Sequence, residues 1–90
     1  KTYKPMARPK TVRDKDVLRL ILESEYYFPT SGKWTSNKEV REWIAFKLNT
    51  SEATVLRTQR KLIHRGVLEA TQYRGTYYIN EKMKNEVLGE

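Results

Sequence analysis

The segment from Thr50 to Ile79 carries five basic side chains, Arg57, Arg60, Lys61, Arg65 and Arg74, against two acids, Glu52 and Glu69. Arginine presents a planar fork of N–H donors that matches phosphates and the edge of guanine, and lysine presents a point charge suited to a phosphate. A surface of one sign attracts polyanions, nucleic acid above all, with acidic membranes and acidic proteins as lesser candidates. The alternative is a solvated surface that serves only solubility.

The charge is concentrated in two parts of the chain. Residues 1–15 hold six basic residues and one acid, a net charge of +5, and residues 51–75 hold five and two, a net charge of +3. Residues 16–50 are neutral, residues 76–90 carry −1, and the whole chain carries +7. Because charge that serves only solubility would be spread more evenly, this distribution favours a polyanionic partner.

Composition limits the other classes of function. A chain of 90 residues forms one small domain with a modest core. It has no cysteine, which excludes disulfides and zinc–thiolate sites and favours a cytoplasmic, reducing setting. No apolar run approaches the ~18 residues of a membrane span, so we expect no membrane contact. The chain begins at Lys1 rather than at Met, and we expect it to be processed, trimmed or cut from a longer protein.

Catalytic chemistry is not indicated. His64 is the single histidine, and either a phosphate contact or plain exposure is compatible with its position among basic residues. The glutamates with helical spacing, which favour solvated helix faces over a catalytic pair, are Glu23, Glu25, Glu39 and Glu42. With no nucleophile–base pair and no glycine-rich phosphate loop, we predict neither enzymatic activity nor a metal, cofactor or small-molecule ligand.

The elements that position the basic residues can be predicted from periodicity. The segment "VRDKDVLRLILESEYY" predicts a first helix whose apolar face is formed by Val17, Leu18, Ile21 and Leu22, with Thr11 as its N-cap. Pro29 and Gly32 end it in a loop, and "KWT" (33–35) predicts a single short strand. The aromatic cluster Tyr26–Phe28 is expected to pack in the core or to contact a partner.

A second helix followed by a short turn is predicted next. Ser36 and Glu39 have capping-box spacing, and the helix is expected to run to about Leu48. Its predicted buried residues are Val40, Trp43, Ile44 and Leu48. The residues "NTS" then separate it from a third helix capped by Thr50 or Ser51, which is the spacing of a helix-turn-helix.

The third helix, about 51–65, is predicted to be amphipathic with a basic outer face. At ~100° per residue, one face is formed by Val55, Gln59, Leu62 and Gly66. The opposite face is formed by Ala53, Arg57, Arg60 and His64, with Thr54 and Lys61 beside them. Leu56 and Ile63 lie between the two faces. The one-sided charge is therefore directed outward.

A β-hairpin over 67–80 and a short final helix complete the prediction. Gly66 can end the third helix in a left-handed conformation. Arg74 and Gly75 are expected to form the hairpin turn. The segment "EKMKNEVL" predicts the final helix, with Met83, Val87 and Leu88 as its apolar residues. Residues 1–10, with two prolines and no periodicity, predict a basic flexible arm, which leaves 11–90 as the folded domain.

This order of elements resembles the winged-helix (winged helix-turn-helix) family of DNA-binding domains, and most of all the small bacterial, archaeal and viral transcriptional regulators. The residues that carry the resemblance, in "SEATVLRTQRKLIHRGVL", are Ser51, Thr54, Val55, Arg57, Lys61, Leu62, Gly66 and Leu68. The resemblance covers about residues 12–80. It implies an α+β fold with a three-helix core, a C-terminal two-stranded wing and a short final helix. Two residues depart from the family pattern. Gln59 occupies a position at which the family usually has an apolar residue, and Leu56 occupies one at which the family often has a small or polar residue.

The resemblance implies sequence-specific binding of double-stranded DNA by a transcriptional regulator, with the third helix in the major groove and the hairpin as wing. Ser51, Thr54 and Arg57 match positions at which the family contacts DNA, and Arg74 matches the wing tip. The residues themselves support this, since Arg57 suits a base edge and Arg60 and Lys61 suit phosphates or the groove edge. The candidate contacts in the N-terminal stretch, which could follow the backbone or enter a minor groove, are Arg8, Lys10 and Arg13. That stretch could equally be a linker that touches nothing.

Two further questions are left open by the sequence. The alternative function is a winged-helix module of a larger replication protein, or a protein–protein interaction module. We also expect a homodimer, because one domain covers a small footprint and dimers read two half-sites about one helical turn apart. The predicted dimer surfaces are the apolar residues of the final helix and the Tyr26–Phe28 cluster.

Overall fold

Four helices and a four-stranded antiparallel sheet make up the described part of the chain, residues 11–90 of a computed structural model. The helices are α1 (Asp14–Glu23), α2 (Lys38–Leu48), α3 (Glu52–His64) and α4 (Glu81–Leu88). The strands are β1 (Tyr27–Phe28), β2 (Lys33–Thr35), β3 (Leu68–Ala70) and β4 (Thr76–Ile79). The α+β class is confirmed. The predicted basic arm, residues 1–10, lies outside the described residues.

The sheet is larger than the predicted two-stranded hairpin. Its strand order is β1-β2-β4-β3, so the "KWT" strand pairs with the return strand of the hairpin through Trp34 and Tyr77. The loop with Pro29 and Gly32 turns the chain back and creates β1, which pairs Tyr27 with Trp34. A two-residue strand is too short to show alternation, and the β2–β4 pairing joins distant parts of the chain, so neither was predicted.

The core lies between the sheet and the helices. The largest fully buried side chain is Trp34, and its Nε1 donates a hydrogen bond of 3.1 Å to Ser24 Oγ. Leu18, Ile44 and Leu62, one from each of the first three helices, are also fully buried. Each such aliphatic side chain contributes about 1.5–3 kcal/mol through burial. The core therefore holds the orientation of α3 rigidly against the rest of the domain.

The starts of the first two helices differ from the prediction. α1 is capped by Arg13 rather than Thr11, and its first turn is closed by a bond from the Arg13 amide to Asp16 Oδ2 at 3.1 Å. α2 is capped by Asn37, whose Oδ1 accepts from the Val40 amide at 2.8 Å. The predicted capping box is wrong because both of its members are bonded elsewhere: Ser36 Oγ donates to Gln59, and Glu39 accepts from Tyr26.

The predicted final helix is present, but its apolar residues pack inside the molecule. Val87 is fully buried, and Met83 and Leu88 pack partly buried against the core. Val87 is therefore covered by the domain itself, while a dimer contact through the partly exposed Met83 and Leu88 stays a prediction. Phe28, in the short edge strand β1, is 53% exposed and remains as the accessible member of the second predicted surface.

Candidate nucleic-acid interface

A three-residue turn between α2 and α3 places the N-terminus of α3 at the surface. Asn49 reverses the chain in the left-handed conformation, with φ 55°, which asparagine tolerates better than most residues. Ser51 then caps α3, since its Oγ accepts from the Thr54 amide at 3.2 Å. The same oxygen lies 3.1 Å from Thr54 Oγ1, so two predicted contact residues are brought together. The first-turn amides and the helix dipole suit an anion such as a phosphate oxygen.

The two faces of α3 are sorted as predicted. The buried side chains are Val55, Thr58, Gln59 and Leu62. The exposed polar ones on the outer side are Arg57, Arg60, Lys61 and His64. Burial of Val55 and Leu62 with exposure of Arg57 and Lys61 confirms the predicted rotation. Thr58 was not predicted to be buried, and its hydroxyl is satisfied by donating to the Thr54 carbonyl at 3.1 Å.

Two grooves border the exposed face of α3. One lies toward the start of α1 and is lined by Asp14, Arg57, Arg60, Lys61, His64 and Arg65. The other lies between α3 and the β3–β4 hairpin, where Arg60 and Arg74 share it with the apolar side chains of Leu56, Ile63 and Tyr77. Arg60 borders both grooves. The helix face and the hairpin turn are thus parts of one surface.

The hairpin turn is a five-residue loop, 71–75, rather than the predicted two-residue turn at Arg74 and Gly75. The side chain of Thr71 organises it, accepting from the Tyr73 amide at 3.0 Å and donating to the Thr76 carbonyl at 2.8 Å. Gly75 takes φ 83°, a conformation that favours glycine. Arg74 is exposed at this turn and lines the groove that it shares with Arg60 of α3.

The basic side chains at this surface are not neutralised by the protein. Among residues 11–90, no carboxylate oxygen lies within 4.0 Å of the side-chain nitrogens of Arg57, Arg60, Lys61 or Arg74. Arg41, in contrast, pairs with Glu52 at 2.7 Å. An anionic ligand at the outer face of α3 would therefore meet cations that keep their full charge.

Arg65, at the end of α3, is held in place by two carboxylates. Its Nη1 lies 2.9 Å from Asp14 Oδ2, and its Nη2 bonds to the Glu90 carboxylate. Hydrogen bonding to Glu90, and then to Asp14, raises the pKa of Arg65 above its ordinary value, and the same bond lowers the pKa of Glu90. Arg65 thus serves to join α3 to α1 and to Glu90, beyond the end of α4.

The predicted contact at Arg13 lies apart from the outer face of α3. Its side chain is 64% exposed and its Nε is 3.6 Å from Asp16 Oδ2. It lines a separate groove with Lys47 and with Asn49 of the α2–α3 turn. Arg8 and Lys10 lie outside the described residues. The two grooves that share Arg60 therefore connect Arg57 and Lys61 with Arg74, and Ser51 and Thr54 lie at the N-terminus of the same helix. Arg13 lies outside both grooves.

A buried polar network beneath this surface was not predicted. Ser36 Oγ donates to Gln59 Oε1 at 2.8 Å and accepts from Arg41 Nη1 at 3.0 Å. Arg41 Nε continues the network to Glu52. One signal of it was visible in the sequence, because Gln59 falls on the apolar face of α3, where an unpaired amide is costly. The partners of Gln59 could not be predicted from the sequence, because they lie in other secondary-structure elements.

Residues 11–90 contain neither a cluster of metal-ligating side chains nor a membrane-spanning helix. The histidine and carboxylate side chains form no cluster of three or more arranged to hold a metal ion. None of the helices combines the length and the apolar character needed to cross a membrane.

Comparisons with protein-family models, with curated proteins and with solved structures give no match to this chain.

Proposed function

We propose that this protein is a sequence-specific double-stranded DNA-binding protein of the winged helix-turn-helix type, acting as a transcriptional regulator. α3 is the recognition helix in the major groove, and the β3–β4 hairpin is the wing. The observation that carries the proposal is the joint placement of Arg57, Arg60 and Lys61 on one exposed helix face with Arg74 on the adjoining hairpin turn. None of the four is neutralised within residues 11–90.

The residues have distinct roles in this proposal. Arg57 hydrogen-bonds to a base edge, because an arginine fork on a helix in the major groove matches guanine O6 and N7. Lys61 and Arg60 neutralise phosphates at the groove edge. Ser51 and Thr54, at the N-terminus of α3, contact a phosphate together with the first-turn amides. Arg74 contacts the flanking backbone or minor groove.

Enrichment of bound duplexes from a random pool tests the proposal directly. We expect one sequence to be enriched, and its affinity to fall steeply with salt, because each neutralised phosphate contributes a slope of about −0.9 in log K against log[salt]. No enrichment and no salt-dependent duplex binding would overturn the proposal. That outcome would favour the protein-interaction module as the function.

We also propose that the protein binds DNA as a homodimer, with the exposed Phe28 in edge strand β1 as a candidate contact. Two copies would read half-sites about one helical turn apart. Sedimentation of the free protein at tens of micromolar and of its complex tests this. A monomer mass together with one protein per selected site would contradict it.

A further inference from the structure

We infer that Gln59 and Ser36 are positioning residues that set the wing against the recognition helix, so that Arg74 and Arg57 engage the same duplex. This inference rests on the proposed function and adds specificity-determining residues that do not themselves contact DNA. Gln59 is 4% exposed and Ser36 is 9% exposed, yet both are polar.

The hydrogen bonds of Ser36 lead in two directions. Its hydroxyl donates to Gln59 Oε1 on α3 at 2.8 Å, and its backbone N–H donates to the Gly75 carbonyl in the hairpin turn at 2.7 Å. A single residue between β2 and α2 therefore bonds to the recognition helix and to the residue that follows Arg74. The path from the helix to the wing tip is only two hydrogen bonds long.

Close packing reinforces this link at the hairpin turn. A Cβ placed on Gly75 would lie 3.2 Å from the Ser36 carbonyl oxygen, so the turn approaches the 35–36 segment as closely as a glycine allows. The adjacent pair of strand residues, Thr35 and Thr76, place their hydroxyl oxygens 3.3 Å apart. The wing is thus tied at its tip as well as along its strands.

The polar side chain of Gln59 fixes the angle between α3 and the segment that contains Ser36. An apolar side chain would fill the same volume without a costly amide to bury, but it would fix no angle between α3 and the segment that bears the turn. A satisfied buried hydrogen bond has a preferred geometry and specifies one arrangement. Arg41 completes it, because its Nη1 donates to Ser36 Oγ at 3.0 Å and leaves that hydroxyl proton for Gln59.

A double-mutant experiment tests the inference. Arg74→Ala is introduced into three backgrounds, the wild type, Gln59→Leu and Ser36→Ala. Each background protein, with and without Arg74→Ala, is titrated with the selected duplex and with random duplex. In the wild-type background, Arg74→Ala should lower the affinity for the selected duplex by some factor. We expect that factor to be at least about twofold smaller when Gln59→Leu or Ser36→Ala is already present, a coupling at the lower end of those seen in hydrogen-bonded networks. An unchanged loss in both backgrounds would overturn the inference.

Thr58→Val is the matched control. Thr58 is buried on the same helix, at 4% exposure, and its hydroxyl bonds within α3 rather than to another element. We expect the Arg74→Ala loss to be the same in this background as in the wild type. A shrinkage of equal size would show that any change in the core of α3 produces the effect, and would overturn the assignment to Gln59 and Ser36.

Hydrogen exchange of the Ser36 amide provides a readout that does not need DNA. We expect it to exchange faster in Gln59→Leu than in Thr58→Val, because the bond to Gly75 loses its support. Equal exchange rates would overturn the inference, whatever the binding data show. If the wild type fails to bind duplex while the amide still exchanges faster, the DNA-binding proposal is overturned and only the mechanical link stands.

Discussion

The outer face and the C-terminal end of α3 both carry basic side chains, yet the two regions differ in what surrounds those charges. Arg57, on the outer face, has no carboxylate oxygen within 4.0 Å among residues 11–90. Arg65, eight positions further along the chain, lies between Asp14 and Glu90. One charge remains available to a ligand, and the other is committed to holding α3 against α1.

This difference shows that a count of charges on a helix overstates the binding surface. Both arginines contributed equally to the basic excess of residues 51–75. They differ because Arg65 is paired with two carboxylates. Asp14 lies 51 residues before it in the chain, and Glu90 lies 25 residues after it.

Arg57→Ala is expected to have the largest effect on DNA binding. Loss of a bidentate base contact should cost about 1–3 kcal/mol of binding free energy and relax the preference at one base pair. Because Arg57 is exposed, the free energy of unfolding should change by no more than about 0.5 kcal/mol. Titration of the selected duplex and of duplexes changed at single base pairs measures this. Unchanged affinity for the selected site would show that Arg57 does not read bases.

Lys61→Ala is expected to weaken binding to specific and to random duplex by similar factors. Lys61 is exposed beside Arg57, and a lysine–phosphate contact carries no sequence information. The slope of log K against log[salt] should become shallower by about 0.9. A selective loss at the specific site, with random binding intact, would instead assign Lys61 to base recognition.

Deletion of residues 1–10 is expected to lower DNA affinity, because it removes basic side chains that could contact phosphates. These residues carry four basic side chains and no acid, and each lost phosphate contact should flatten the salt slope by about 0.9. The melting temperature should be nearly unchanged, since the sequence of residues 1–10 has no apolar periodicity. Identical slopes and affinities with and without the arm would mean that it is a passive tail.

Arg65→Gln is expected to have the smallest effect on DNA binding and a clear effect on stability. It removes the bonds to Asp14 and Glu90, so the melting temperature should fall. The fall should be smaller than that caused by the core truncation Leu62→Ala, a kind of change that typically costs about 2–5 kcal/mol of unfolding free energy. Affinity for the selected duplex should stay within about twofold, as expected of a residue outside the contact set. A large loss of affinity without loss of stability would place Arg65 in the interface.

The same ion pair predicts a dependence of stability on pH. Arg65 lowers the pKa of Glu90, so the stabilisation is fully present above the ordinary glutamate pKa of about 4.3 and is lost as the pH falls through the lowered value. Melting temperatures of wild type and Arg65→Gln should therefore converge on acidification. A difference that persists at the lowest pH would mean that packing of the Arg65 side chain, rather than its ion pairing, accounts for it.

Local patterns in the sequence were enough to predict the helices and the rotation of α3. The period of a helix depends on neighbouring residues alone, so Val55 and Leu62 could be placed inside and Arg57 and Lys61 outside. The left-handed position of Gly75 was predictable for the same reason, because it follows from backbone sterics. Helix starts were less predictable. Ser36 and Asn37 both have capping chemistry for α2, and a bond to Gln59 on α3 engages Ser36 and leaves Asn37 as the cap. Thr11 has capping chemistry for α1, yet α1 begins after Arg13.

Tertiary structure decided what no local pattern could contain. The pairing of β2 with β4, the commitment of Arg65 to Asp14, and the bond between Ser36 and Gln59 all join residues far apart in the chain. Such contacts depend on how the core orients whole elements, and many partners of equal chemistry compete for each one. The amino-acid sequence by itself therefore determined which side chains face outward on α3, and only the folded chain determined which of those charges are left for a ligand.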